Sequence, residues 1–198
     1  MSMEATMPKG FTEQEKQNIR TKLLAECKKS WAKYGYKKTS IDEICTQVGI
    51  SKGAFYLFFE SKEALFTETL CILQDHMYRL TEKIMEKQPN KQGFAQALKA
   101  SYREYNNNFL ICDMQSVDFL AFANKLSPEQ LSTIEKGSHH SGELLLNKPY
   151  LQFLIDKDEA ASILMSLLSI VSVKERLSYD HFAVFDFMVD NLMDKILK

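Results

Sequence analysis

Glycine and proline are scarce in this 198-residue chain, seven and four respectively, and no stretch alternates polar and apolar residues for long enough to suggest a strand. That scarcity argues against a turn-rich β-sandwich or barrel and predicts an all-α fold. Long hydrophobic runs are missing too. The longest, Ala160 to Val173, is 14 residues long, broken by serines and bounded by Glu159 and Lys174. It falls short of the roughly 17 to 25 residues a membrane helix needs, so it reads as a buried helix and no membrane partner is expected. The N-terminus MSMEATMPKG lacks the charged start and apolar core of a secretory signal, which predicts a cytoplasmic location. Cys27, Cys45, Cys71 and Cys112 stand 18, 26 and 41 residues apart, inside helical patterns. Neither a disulfide framework nor a CxxC metal clasp is indicated, and the four read as small core hydrophobes.

Net charge is nearly absent as well, 25 Lys and Arg against 26 Asp and Glu. The total excludes a uniformly basic protein that coats nucleic acid, but it conceals a cancellation. Residues 1–62 carry 11 Lys or Arg against 7 Asp or Glu, a net of +4, while residues 63–198 carry 14 against 19, a net of −5. A basic end can meet phosphate while the acidic remainder limits non-specific attraction to nucleic acid.

Catalytic signatures are missing. No G-x-S-x-G, Walker loop, dinucleotide fingerprint or paired-carboxylate pattern occurs, so no catalytic residue and no cofactor is assigned and the chain is not read as an enzyme. His139 and His140 are adjacent and would point about 100 degrees apart on a helix. His76 and His181 lie alone, so no metal is expected.

What is present is helical periodicity. Thr12 with Glu15 forms a T-x-x-E capping box. Ile19, Leu23, Cys27, Trp31 and Tyr34 then lay down one stripe, closed by Gly35. A short helix from Ser40 to Val48 buries Ile41, Ile44, Cys45 and Val48 and ends at Gly49. Ser51 caps a third, whose Phe55 and Phe59 face inward while Lys52, Gly53, Ala54, Tyr56 and Leu57 face outward. Ser61 caps a long helix from Lys62 to about Lys87. Later helices are expected at about Gln92–Leu110, Met114–Asn124, Ser127 to about Gly142 or on through Leu144 to Leu146, Asp156–Arg176 and Asp180–Leu197, with the Asn106–Asn108 run liable to end the first of them early.

Two short helices joined by a glycine turn, the second opening with small and polar residues, describe a helix-turn-helix. The chain here resembles the TetR family of bacterial transcriptional regulators. The matching residues are WAKYGY (Trp31–Tyr36), Thr39–Ile44, Val48–Tyr56 with SKGAFY, and Phe59–Phe66 with SKEALF. The resemblance covers about Phe11 to Leu70. It implies a DNA-binding domain over residues 1–62, with residues 1–10 a flexible arm, and a helical ligand-binding and dimerisation domain over residues 63–198. It implies further that Thr39 and Ser40 lie at the DNA backbone, that Lys52, Gly53 and Tyr56 enter or flank the major groove, and that Lys62 clamps a phosphate. The backbone N–H groups of Ser51, Lys52 and Gly53 suit a phosphate. Leu57 and Phe58 stand where relatives often hydrogen-bond, so Ala54 or Leu57 is expected to touch thymine methyls instead.

In the second segment, Met77, Leu98, Tyr102, Tyr105, Phe109, Phe119 and Phe122 are candidate lining for a ligand pocket, with ordinary core as the plain alternative for any one of them. Asp113 and Asp118 near that cluster would suit a cationic ligand, with exposed carboxylates as the plainer reading. The last two helices are apolar on more than one face. This makes Ile163, Leu167, Ile170, Val171, Phe185, Met188 and Leu192 candidates for a two-fold, four-helix interface with a second copy. The expected partners are therefore an operator in double-stranded DNA, a small-molecule ligand of unknown identity and a second copy of the chain. The expected activity is repression relieved by the ligand. The alternatives are an activator or ligand-independent regulator of the same fold, and a helical binding protein without DNA activity.

Overall fold

The computed structural model describes residues 11–108, 111, 113–114 and 116–198, with the side chains of 138–141 left out. Nine α-helices are described: α1 (Glu13–Lys38), α2 (Ile41–Val48), α3 (Lys52–Phe55), α4 (Lys62–Lys87), α5 (Lys91–Asn107), α6 (Val117–Ala123), α7 (Pro128–Leu146), α8 (Lys157–Leu168) and α9 (His181–Ile196). A 3-10 segment, Ser169–Arg176, joins the last two. Among the described residues there is no strand, only one isolated antiparallel bridge between Phe153 and Leu197. None of the helices is long and apolar enough to cross a membrane.

Local chemistry sets most of the boundaries. The Thr12–Glu15 capping box forms, and a second one, Ser127 with Gln130, opens α7 with Pro128 in its first turn. Helix α5 stops within the asparagine run, where Asn108 donates from Nδ2 to the Glu104 carbonyl at 2.9 Å.

Apart from the third helix, three boundaries depart from the sequence pattern. Gly35 does take a positive φ of 79°, but it kinks α1 rather than ending it, and a last helical turn runs on to Lys38. The helix expected from about Met114 begins only at Val117, after the Ser116 cap. The helix expected to run on to Arg176 tightens after Leu168, and serines supply a reason. Ser162, Ser166 and Ser169 each donate to the carbonyl four residues back, and Ser172 to that of Ser169. Such back-bonding competes for the carbonyls of the ladder and bends a helix.

The apolar residues form two clusters, and the division does not fall at residue 62. One joins α1–α3 and the first half of α4 to Ile111, Phe119, Phe122 and Ile134. At its centre Trp31, fully buried, lies 4.7 Å from Phe66 and 5.1 Å from Phe122 between ring centroids. The other joins the end of α4 and α5 to α8 and α9. There Tyr102 stacks on Phe185 at 3.8 Å and bonds His181 Nδ1 at 2.8 Å. Residues 11–62 are thus not packed as a separate unit, because α6 closes their core. Burying each such ring stabilises by about 2 to 3 kcal/mol, so the tie is substantial.

Ion pairs between α5 and α9 surround the second cluster: Lys91–Asp194 and Lys99–Asp190 at 2.6 Å and Arg103–Asp186 at 2.8 Å. They fix the antiparallel register of two helices more than they add stability. Cys27 and Cys45 are buried and Cys71 half-buried, each a free thiol. Cys112, the arm 1–10 and the side chains of His139 and His140 lie outside the described residues.

Candidate nucleic-acid interface

Helix α2 starts where the Ser40 hydroxyl accepts from the Asp42 N–H, and it ends at Gly49, whose φ of 82° and ψ of 33° are left-handed. The N–H groups of Gly49 and Ile50 both donate to the Cys45 carbonyl, at 2.9 and 3.0 Å. This double closure turns the chain sharply toward α3. The Ser51 hydroxyl then accepts from the Ala54 N–H at 3.1 Å.

The third helix is shorter than its stripe suggested. After Phe55 the ladder tightens, with Leu57 N–H donating to Ala54 and Phe58 N–H to Phe55. The inward anchors nevertheless hold: Phe55 and Phe59 are buried and stack at 5.9 Å. The outward side presents Lys52 and Gly53, a half-buried Ala54, and then Tyr56 at 55% and Leu57 at 72% exposure. Two large apolar or aromatic side chains so exposed at the tip of a rigid turn form a surface suited to base edges and methyls.

Arg20, which the sequence pattern passed over, makes that turn rigid. Its guanidinium donates to the Phe58 carbonyl at 2.6 Å, lies 4.3 Å above the Phe59 ring and pairs with Glu68. One side chain thereby ties α1 to the α3–α4 turn and to α4. No signal in the sequence distinguishes it from other helix-surface arginines.

The expected backbone contacts fare unevenly. Ser40 is half-buried as the α2 cap, and Ser51 is exposed. Lys52 is exposed and hydrogen-bonded to Asp42 at 2.9 Å, a bond that with the charge of Asp42 raises its pKa. Thr39 is only 2% exposed, and its hydroxyl donates to the Gly35 carbonyl at 2.7 Å, so it closes α1 rather than facing DNA.

Lys62 likewise departs from the role the resemblance implied. Its ammonium donates to the carbonyls of Tyr36 and Thr39, both at 2.7 Å, and sits 4.1 Å from the Tyr36 ring centroid. Desolvation pulls its pKa down. The cation neutralises the carbonyl end of α1 and keeps one N–H of three for anything else.

Asp118 is not a free exposed carboxylate. From α6 it accepts the backbone N–H of Tyr36 and, at 3.0 Å, that of Lys37, the two residues after the Gly35 kink. This is a direct hydrogen-bonded link between the helix-turn-helix unit and the rest of the chain.

The candidate pocket residues are not brought together. Phe119 and Phe122 belong to the first cluster, with Met77 packed on it; Tyr102 belongs to the second, with Leu98 and Tyr105 packed on it. Phe109 lies outside the described residues. Four of the interface candidates do gather. Ile163, Leu167, Ile170 and Met188 line an apolar groove of about 370 Å³ on α8, the 3-10 segment and α9. Val171 and Phe185 are 1% exposed and packed inside the chain, so they cannot meet a second copy; Leu192 is half-buried against the second cluster.

Residues 23–69 match the family described as bacterial regulatory proteins, tetR family. Over 68 residues the chain is 37% identical to the uncharacterized HTH-type transcriptional regulator YhgD of Bacillus subtilis (strain 168), a stretch covering 34% of this chain and 36% of that protein. The likeness therefore spans about a third of that relative. Among solved structures, a TetR family transcription regulator from Marinobacter aquaeolei VT8 superposes with a TM-score of 0.65 at 15% identity, over 94% of this chain and 100% of that one. The transcriptional regulator FadR from Bacillus subtilis in complex with stearoyl-CoA gives 0.66 at 15% identity, over 87% and 96%. At these identities the likeness is one of fold.

Proposed function

Since the chain belongs to the TetR family of bacterial transcriptional regulators, with its DNA-binding helix-turn-helix at residues 23–69, we propose that it is a homodimeric repressor released from its operator by a small molecule. The observation that carries the reading is the outward face of α2–α3, where Lys52, Gly53, Tyr56 and Leu57 are held out from a turn anchored by Phe55, Phe59 and Arg20. Two such faces, related by a dimer axis, enter successive major grooves about 34 to 36 Å apart. Ser40, Ser51 and Lys52 meet phosphate oxygens. Ala54 and Leu57 lie against thymine methyls, and Tyr56 reads or flanks a base edge.

The apolar groove on α8 and α9, flanked by Met165 and Phe187 at 60% and 69% exposure, supports the second copy. Apolar side chains so exposed on adjoining helices mark an association surface. The link from Asp118 to the α1 kink supports control by ligand, because any shift of α6 moves the two N–H groups it holds. A ligand acts this way only by preferring one of two arrangements.

The test is a titration of a near-palindromic promoter fragment, recovered by genomic selection, at several salt concentrations. Lys52→Ala should weaken binding to every sequence and lower the salt slope by about one. Met188→Glu, at a residue exposed in the protomer, should shift the sedimentation mass from twice 22.9 kDa to 22.9 kDa while leaving helicity intact. A wild-type monomer at micromolar concentration, or no selected DNA, overturns the proposal.

A further inference from the structure

The outward face of the α3 turn is poor in groups that can read a base. Helix α3 spans only Lys52–Phe55. Of the side chains presented there, Ala54 and Leu57 are apolar, Gly53 has none and Lys52 is placed at a phosphate, so Tyr56 carries the one polar tip left for a base edge. Base pairs in the major groove are told apart chiefly by their pattern of hydrogen-bond donors and acceptors. A fuller readout needs a polar group from a neighbouring element.

Helix α2 supplies one. Asp42, in its first turn, is exposed, and its Oδ2 accepts from the Lys52 ammonium at 2.9 Å. Among the described residues it is the one exposed α2 side chain bonded to α3. Its backbone N–H donates to the Ser40 hydroxyl at 3.2 Å. Asp42 is thus bonded to both Ser40 and Lys52, the residues that the repressor reading places at phosphates.

A carboxylate in that position is unfavourable for DNA in general, because it repels the phosphates and neutralises Lys52. Folding has little need of it. With the two side chains 53% and 65% exposed, the pair adds little stability, and Glu43 already complements the dipole of this eight-residue helix. A donor in the groove would offset the repulsion. Asp42 Oδ1 makes no hydrogen bond among the described residues, and an ammonium has three N–H donors, so Lys52 can hold the carboxylate and a phosphate at once.

The major groove offers two donors, the N4 amino group of cytosine and the N6 amino group of adenine. Adenine sets its N7 acceptor beside the amino group, where it repels a carboxylate; cytosine does not. We propose that Asp42 is a specificity-determining residue that accepts from the N4 amino group of one cytosine in each operator half-site, with Lys52 as its positioning partner. Against any other base the carboxylate meets the groove unpaired, which disfavours wrong sequences.

This contact rests on the repressor reading above, and its test separates the two. Randomised duplexes are selected with the full-length wild type, Asp42→Ala and Asp42→Asn, and the selected operator and its single-base-pair variants are then titrated at 0.1 M salt, with helicity checked by circular dichroism. Wild type should require a C·G pair at one position of each half-site, and replacing it in one half-site should weaken binding about tenfold, equivalent to about 1.4 kcal/mol. Asp42→Ala should bind all four base pairs at that position within about twofold of one another. Asp42→Asn should move the preference to A·T, because an amide bonds both N6 and N7 of adenine. Identical base preferences in wild type and Asp42→Ala, or a preference lost at A·T instead of C·G, overturn the proposal and leave the repressor reading standing. A wild type that selects no DNA refutes the repressor reading and the contact with it.

Discussion

Replacing Asp118 by alanine removes the acceptor of two backbone N–H groups, those of Tyr36 and Lys37, at the point where the Gly35 kink interrupts α1. Hydrogen bonds to a charged group contribute about 1.5 to 3 kcal/mol each. Because Tyr36 is buried while Lys37 is exposed, the low end applies to the pair and the loss comes to about 3 kcal/mol. For a chain of this length that lowers the melting temperature by about 6 to 12 °C. Gly35→Ala attacks the same contact from the other side. A Cβ there would lie 2.7 Å from Asp118 Oδ2, on a residue whose φ of 79° and ψ of 170° fall in a region that is essentially glycine's alone and costs an L side chain about 1 to 3 kcal/mol. The two changes share one contact, so the double variant should lose less than the sum of the single losses. Urea unfolding followed by circular dichroism measures all three variants. An Asp118→Ala protein within about 0.5 kcal/mol of wild type, or strict additivity, would refute the assignment of this link.

Lys62→Ala should lower stability by about 1 to 2 kcal/mol through the freed carbonyls of Tyr36 and Thr39 and leave the salt slope of DNA binding unchanged; a slope lower by one would restore Lys62 as a phosphate contact. Burial raises the Cys27 thiol from 9.0 to about 12 and the Tyr102 phenol from 10.0 to about 12. The unfolded chain therefore loses these protons first, so their stabilising share is intact below pH 9 and lost as pH rises toward 12. Unfolding free energies from urea titrations at pH 8 and 10.5 should differ by about 2 kcal/mol from Cys27 alone, a difference that Cys27→Ala should reduce. Gly93→Ala places a Cβ 1.8 Å from the Gln88 carbonyl oxygen, so it should disrupt the α4–α5 turn and cost about 1 to 3 kcal/mol by thermal unfolding.

The sequence by itself determined what depends on neighbours along the chain. The capping residues Thr12, Ser51 and Ser61, the helix starts near Ser40 and Ser127, the turn at Gly49, and the inward Phe55 and Phe59 were all legible, because caps, turns and helical stripes are set within a few residues of one another. So were the all-helical class and the helix-turn-helix. Tertiary structure decided everything that depends on partners far apart in sequence. Lys62 and Thr39 look like surface groups until α1 and α4 pack, after which both serve the carbonyl end of α1. Asp118 reads as an exposed carboxylate until α6 lands on the Gly35 kink. The aromatic residues of the second segment share a composition but not a location, since Phe119 and Phe122 pack on Trp31 while Tyr102 packs on Phe185. Periodicity reports which face of a helix is apolar. Which neighbour covers that face is settled only when all the helices compete for the same buried volume.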